Sequence, residues 1–193
     1  MANFIASPGD FLRGSIKVPG DKSISHRSIM LGSIANGVTN VSGFLEGEDS
    51  LATLNAFKDM GVKIEREGSN VVINGVGMNG LRPSLKPLNL GNSGTSIRLM
   101  TGLLSAQSFD STLCGDESLS KRPMARIIDP LSEMGAIIKS SDSMPPLSIS
   151  GNQKLSALKY TLPVASAQIK SCLLLAGLYA DGETCITENA TTR

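Results

Sequence analysis

Residues 16–43, IKVPGDKSISHRSIMLGSIANGVTNVSG, return twice in altered form, as LNLGNSGTSIRLMTGLLSAQSFDSTLCG at 88–115 and YTLPVASAQIKSCLLLAGLYADGETCIT at 160–187. Each copy reads as a short strand, a turn of small residues, an apolar helix, a polar break and another strand. Each places one basic residue, Arg27, Arg98 or Lys170, a few positions into its helix. In the third copy Ile169, Cys172, Leu173 and Ala176 fall at i, i+3, i+4 and i+7. That spacing makes one helical stripe against a core, and Leu174 and Leu175 widen it toward deep burial.

A second element recurs between the copies. Residues 54–64, LNAFKDMGVKI, match DPLSEMGAIIK at 129–139, with Met60 and Gly61 falling on Met134 and Gly135. Both predict a helix closed by glycine and followed by a strand. After them GVKIEREGSNVVINGVG reads as two strands around a Gly-Ser-Asn turn, and AIIKSSDSMPPLSISG as a looser pair with Pro145 and Pro146 in its connection. The period is roughly 70 to 75 residues. The predicted fold is α/β (α+β): βαβαββ units over about 14–80, 81–155 and 156–193, after an N-terminal segment, 1–13. The second helix and closing strands of the third unit are expected beyond Arg193, so the sequence reads as a piece of a longer repeat protein, or else as one with a short third unit.

With 18 Lys and Arg against 17 Asp and Glu, the net charge of +1 selects neither nucleic acid nor an anionic membrane. Any anion site must be local. The start, MANFIASPGDFLRG, lacks a basic region followed by an apolar run, and no stretch reaches the roughly 18 apolar residues of a membrane span, so a cytoplasmic protein is expected. Cys114, Cys172 and Cys185 form no CxxC pair, and the single histidine, His26, cannot complete a zinc set with them. They read as structural thiols, with no metal expected.

Turns of small residues that open helices suit anions, because the first helical N–H groups lack internal partners and sit at the positive end of the dipole. GDKSISHR adds Lys22 as a point charge, Ser23 as a hydroxyl donor and helix cap, and Arg27 as a fork for carboxylate or phosphate. LGNSGTSIR brings Gly91 and Gly94, where a ligand can approach the backbone, with Asn92, Ser93 and Thr95 beside them. In DESLSKRPMARI, Pro123 fits a first helical position and sets Arg122 at the helix mouth, while Pro130 predicts a kink or a weakened turn. PVASAQIK offers Ser166 and Gln168, with Lys170 behind. Taken singly, each motif is also ordinary cap or turn chemistry.

In this order and spacing GDKSISHR, LGNSGT with its following arginine, SLSKRPM and PVASAQIKSCLLLAGL resemble the 5-enolpyruvylshikimate-3-phosphate (EPSP) synthase family, from about Gly14 to Arg193 and closer to its glyphosate-tolerant bacterial class. That resemblance implies two lobes of three similar units, of which this chain matches the first, and a monomeric enzyme. It implies transfer of the enolpyruvyl group of phosphoenolpyruvate to the 5-hydroxyl of shikimate 3-phosphate in aromatic amino acid (chorismate) biosynthesis, without metal or organic cofactor, and with glyphosate as inhibitor. The resemblance assigns Lys22, Ser23 and Arg27 to the shikimate phosphate, with Lys22 also near phosphoenolpyruvate, and gives Gly94 and Arg122 to phosphoenolpyruvate. Ser166 and Gln168 match further shikimate phosphate contacts, Ala167 would contribute only its backbone amide, and Arg193 matches another phosphate-site arginine. Leu99 stands where the sensitive class has proline. The family's general acid and base lie in its second lobe, so no catalytic residue is assigned and the chain alone is expected to be inactive. Two alternatives remain: a non-catalytic phosphate-ligand-binding fragment, and the related transferase acting on UDP-N-acetylglucosamine, which carries a mobile-loop cysteine that Cys114 matches poorly.

Overall fold

The computed structural model describes residues 3–190 other than 10 and 12. In chain order the elements are α1 (Lys22–Ile34), β1 (Asn36–Val41), α2 (Glu48–Asp59), β2 (Lys63–Glu67), β3 (Asn70–Val76), β4 (Leu88–Asn89), α3 (Gly94–Leu104) and β5 (Ser111–Cys114). There follow α4 (Glu117–Ser120), α5 (Ala125–Glu133), β6 (Ile138–Ser141), β7 (Met144–Ile149), β8 (Lys159–Thr161), α6 (Ala167–Gly177) and β9 (Cys185–Thr187).

Both glycine-closed helices end alike. After α2, Gly61 at φ +88° donates to Lys58 and Val62 donates to Phe57; after α5, Gly135 at φ +101° donates to Ser132 and Ala136 to Leu131. The left-handed residue lets the chain turn back and satisfy the last carbonyls, and glycine takes that conformation without strain. Antiparallel strands then form in each case. β3 lies between β1 and β2, and the second sheet runs β4-β5-β7-β6, with β4 and β5 parallel. In the third copy β8 pairs in parallel with β9.

Three local expectations are corrected. Residues 15–20 form no strand, and Ile16 and Val18 are exposed, because no described strand lies beside them; extended backbone without a ladder partner makes no sheet. Pro145 and Pro146 lie inside β7, not in its connection. They occupy the stretch where the β6 register shifts, where a missing N–H costs no ladder bond; the turn is made by Asp142 and Ser143. Leu174 is exposed at 45 %, since it faces an open apolar groove with Met30, Leu31 and Leu178, whereas Leu175 is buried.

Helix α3 is the centre of the core, with Ile97, Leu99, Met100, Leu103 and Leu104 fully buried. It packs most closely on α6, whose Cys172, Leu173 and Ala176 are also fully buried. Burial pushes the Cys172 thiol up to about 12, which makes it an inert core side chain, as expected of a structural thiol. The two backbones nearly touch: a Cβ on Gly102 would lie 2.1 Å from the Cys172 carbonyl oxygen. In an open helix Gly→Ala stabilises by about 1 kcal/mol. Here Gly102→Ala is expected to destabilise, by about 1–3 kcal/mol of overpacking, measured as a lower midpoint in urea unfolding.

Candidate anion-binding site

The first turns of three helices carry the polar side chains that the sequence singled out. At α1 the cap is Asp21, not Ser23: its carboxylate accepts from the Ile24 N–H at 2.7 Å, while Ser23 is already the second residue of the helix and so lies past the cap position. Ser23 is exposed on the first turn, and Lys22 pairs with Asp49 of α2. Arg27, half-buried one turn on, donates to Ser171 Oγ at 2.6 Å and to the Ser23 carbonyl at 3.2 Å, tying α1 to α6.

At α3 Ser93 is the cap and Gly94 the first helical residue. Arg98 folds back to donate to the Gly94 carbonyl at 3.1 Å and also donates to Gln168 Oε1 at 3.0 Å. Gln168 Nε2 in turn donates to Thr95 Oγ1 at 3.1 Å, so the openings of α3 and α6 are joined through one side-chain amide. Ser166 caps α6, Ala167 begins it, and Lys170 is held by Glu188 at 2.7 Å.

Arg122 occupies the link between α4 and α5. The sequence predicted a helix starting at Pro123, but α5 begins two residues later at Ala125 and runs through Pro130, whose missing N–H leaves the Arg126 carbonyl without an intrahelical donor. Arg122 reaches back to Asn92 in the turn before α3. A Cβ on Gly94 would stand 2.8 Å from Nη1 of Arg122 and 2.8 Å from Nη1 of Arg98, so glycine leaves the space in which both guanidinium groups crowd the start of α3.

The structure therefore brings together Gly94, Arg122 and Gln168, with Ser166 and Ala167 at the same α6 opening; Arg27 meets α6 one turn further on, at Ser171, and Lys22 and Ser23 lie on the turn of α1 before it. Arg193 lies outside the described residues. Arg98 was absent from the sequence-derived set although it is central here. The repeat carried the signal, since Arg98 takes the place in its copy that Arg27 takes in the first. Burial, then Arg122, then Arg126 hold the Arg98 guanidinium below its ordinary value. Among the described residues none of Arg27, Arg98, Arg122 and Arg126 pairs with a carboxylate. Like charges held this close, with no carboxylate in ion-pair contact, leave a net positive potential that an anion relieves.

Behind the site, a chain of hydroxyls locks three helices together. Ser96 Oγ donates to Ser93 Oγ at 2.6 Å, Thr53 Oγ1 lies 2.6 Å from Ser96 Oγ, and His26 Nδ1 lies 2.8 Å from Thr53 Oγ1. With Ser96 giving its proton to Ser93, the chain is completed when Thr53 donates to Ser96 in place of the Asp49 carbonyl 3.3 Å away and accepts from a protonated Nδ1. His26 is fully buried, and its Nε2 has no partner among the described residues. Burial, with Lys22 and Arg27 adding and Asp49 opposing, brings the imidazole down to about 4.

Among the described residues no group of His, Cys, Asp or Glu could hold a metal ion. Cys114 is half-buried in strand β5, and burial raises its thiol, unlike a reactive cysteine on a mobile loop.

An α/β lobe whose helix openings gather arginines that make no ion pair among the described residues is an arrangement suited to an anionic ligand. Its relatives narrow that class. Residues 6–193 match the family described as EPSP synthase (3-phosphoshikimate 1-carboxyvinyltransferase), and the chain belongs to that family. It is 67% identical over 193 residues to the 3-phosphoshikimate 1-carboxyvinyltransferase of Ruthia magnifica subsp. Calyptogena magnifica, covering 100% of this chain and 44% of that protein. The enzyme of that name from Nitrosococcus oceani is 60% identical over 192 residues, covering 98% of this chain and 43% of its own. A solved EPSP synthase from Acinetobacter baumannii superposes with TM-score 0.90 at 60% identity, over 93% of this chain and 41% of that one. This chain thus spans less than half the length of the relatives it matches.

His26 gives a direct test, because it is the only histidine. Its ¹⁵N resonances are expected to report a neutral Nδ1–H tautomer from pH 7 down to near 4. The unfolded chain takes up that proton near 6.5, so the His26 contribution to stability falls as pH drops from 6.5 toward 4, by about 3 kcal/mol. His26→Asn is expected to flatten that part of the stability profile, measured by urea unfolding at each pH.

Proposed function

We propose that this chain provides the shikimate 3-phosphate and phosphoenolpyruvate face of an enolpyruvyl transferase that passes the enolpyruvyl group to the 5-hydroxyl of shikimate 3-phosphate. The observation that carries the reading is the arginine group at the joined openings of α3 and α6, unpaired among the described residues and gathered under Gly94. Two phosphorylated molecules of the same charge sign must be held against each other, and preorganised positive charge with N–H donors can do this.

In this reading Lys22, Ser23 and Arg27 of α1 and Ser166, Ala167 and Gln168 of α6 hold the shikimate phosphate, joined by Arg193. Gly94 and Arg122 take phosphoenolpyruvate, with Arg98 beside them adding charge to both. Glyphosate competes for the Gly94 and Arg122 subsite, where the lack of a side chain keeps room between the guanidinium groups. The setting is cytoplasmic; among the described residues no helix is long and apolar enough to cross a membrane. This chain's part is binding and orientation, and turnover by the chain alone is not expected.

Isothermal titration of the chain tests the assignment. Shikimate 3-phosphate is expected to bind, phosphoenolpyruvate more weakly, and glyphosate to compete only with the latter. Arg27→Ala is expected to weaken shikimate 3-phosphate by about 1.5–3 kcal/mol, the range for a lost hydrogen bond to a charged group. Equal affinities for wild type and variant, with folding verified by circular dichroism, would remove Arg27 from the site.

A further inference from the structure

Arg122 does not reach its place unaided. The turn before α3 and the loop after β5 are stitched together by backbone: Leu90 N donates to the Cys114 carbonyl at 2.9 Å, and Asp116 N to the Gly91 carbonyl at 2.9 Å. Across this seam Asn92 Nδ2 donates to Asp116 Oδ2 at 2.8 Å, while Arg122 Nη2 donates to Asn92 Oδ1. The other Asp116 oxygen accepts from Leu119 N at 2.7 Å and caps α4.

The order of donors in this chain is forced. A carboxylate only accepts and a guanidinium only donates, so the amide between them has one satisfactory orientation, with its nitrogen toward Asp116 and its oxygen toward Arg122. We propose that Asp116 is a positioning residue for the Arg122 guanidinium, acting through the side-chain amide of Asn92. The proposal rests on the reading of Arg122 as a phosphoenolpyruvate contact. Asp116 orients Asn92, Asn92 holds one edge of the guanidinium, and the remaining N–H groups stay directed toward Gly94 and the ligand. The Asp116 carboxyl is held below the usual carboxylate range, first by the Leu119 N–H and then by the Asn92 amide, which keeps it an acceptor throughout the working pH range.

The consequence runs against simple electrostatics. Removing a negative charge near an anion site should tighten anion binding. Asp116→Asn removes that charge but offers one oxygen and one NH₂ group where two acceptors are needed. It can serve the Leu119 N–H or the Asn92 amide, not both, and with the cap kept, Asn92 is free to flip and present its own NH₂ to Arg122. Glu117→Gln is the control. It removes the same charge one residue along, from an exposed side chain that pairs with Lys121 and does not touch Asn92.

The test uses the chain as it stands, with phosphoenolpyruvate as the probe. Asp116→Asn is expected to weaken phosphoenolpyruvate about five- to ten-fold, while Glu117→Gln leaves it unchanged or slightly tighter, and shikimate 3-phosphate affinity holds in both. An Asp116→Asn affinity equal to or tighter than wild type would overturn the proposal. In ¹⁵N spectra without ligand, the Asn92 side-chain amide is expected to titrate with the Asp116 carboxyl at acid pH. It should also shift in Asp116→Asn together with the Arg122 Nε–H. A silent Asn92 amide overturns the relay whatever the ligand does. Wild type and Arg122→Ala binding phosphoenolpyruvate equally would instead contradict the assignment of Arg122, and the amide titration would still decide the relay.

Discussion

The approach of Gly102 to the Cys172 carbonyl sets where α3 and α6 stand, and the position of both helix openings follows from it. With no side chain between the backbones, Gln168 at the start of α6 comes within hydrogen-bond reach of Thr95 and Arg98 at the start of α3. A wider separation would break both contacts and leave two isolated helix ends. Each would then be a weak anion site, because the dipole contributes only a fraction of a kcal/mol to about 1 kcal/mol and fades within a turn. Brought together with guanidinium groups, the same ends make a pocket-like field that neither supplies alone.

Around that contact the polar groups divide into two layers. The outer layer, Arg27, Arg98, Arg122 and Gln168, is half-buried. The inner layer, His26, Thr53, Ser93 and Ser96, is fully buried and has only neutral groups in it, since His26 stays uncharged. A charged imidazole there would add a further like charge behind the arginines and would have an Nε2–H without an acceptor among the described residues. Neutral hydroxyls and imidazole join α1, α2 and α3 without raising the repulsion that the outer layer already bears.

Much of this was legible because the sequence repeats. The match of LNAFKDMG to DPLSEMG located two helices and the left-handed glycines that close them, and three similar copies located α1, α3 and α6. What failed depended on neighbours that one segment cannot show. Residues 16–18 have strand composition but no strand to pair with, Leu174 lies on an apolar face that meets an open groove, and the two prolines of β7 were tolerated because the ladder is broken there. At the site, residue types were visible and pairings were not. Arg98 was read as one member of a repeated pattern, yet its link to Gln168 spans two units and depends on the α3–α6 contact. Asn92 was legible as a turn residue but not as the holder of Arg122, because its partners Asp116 and Arg122 come from two other loops, on either side of α4.

The central claim is that the openings of α1, α3 and α6 form one phosphate-binding face. A crystal structure of this chain grown with shikimate 3-phosphate tests it most directly. The account places the phosphoryl group against Arg27 and the first turn of α6, with the ring toward Gly94 and Arg122. A phosphoryl group bound away from Arg27 and Gln168, with those side chains still holding only Ser171, Arg98 and Thr95, would contradict it.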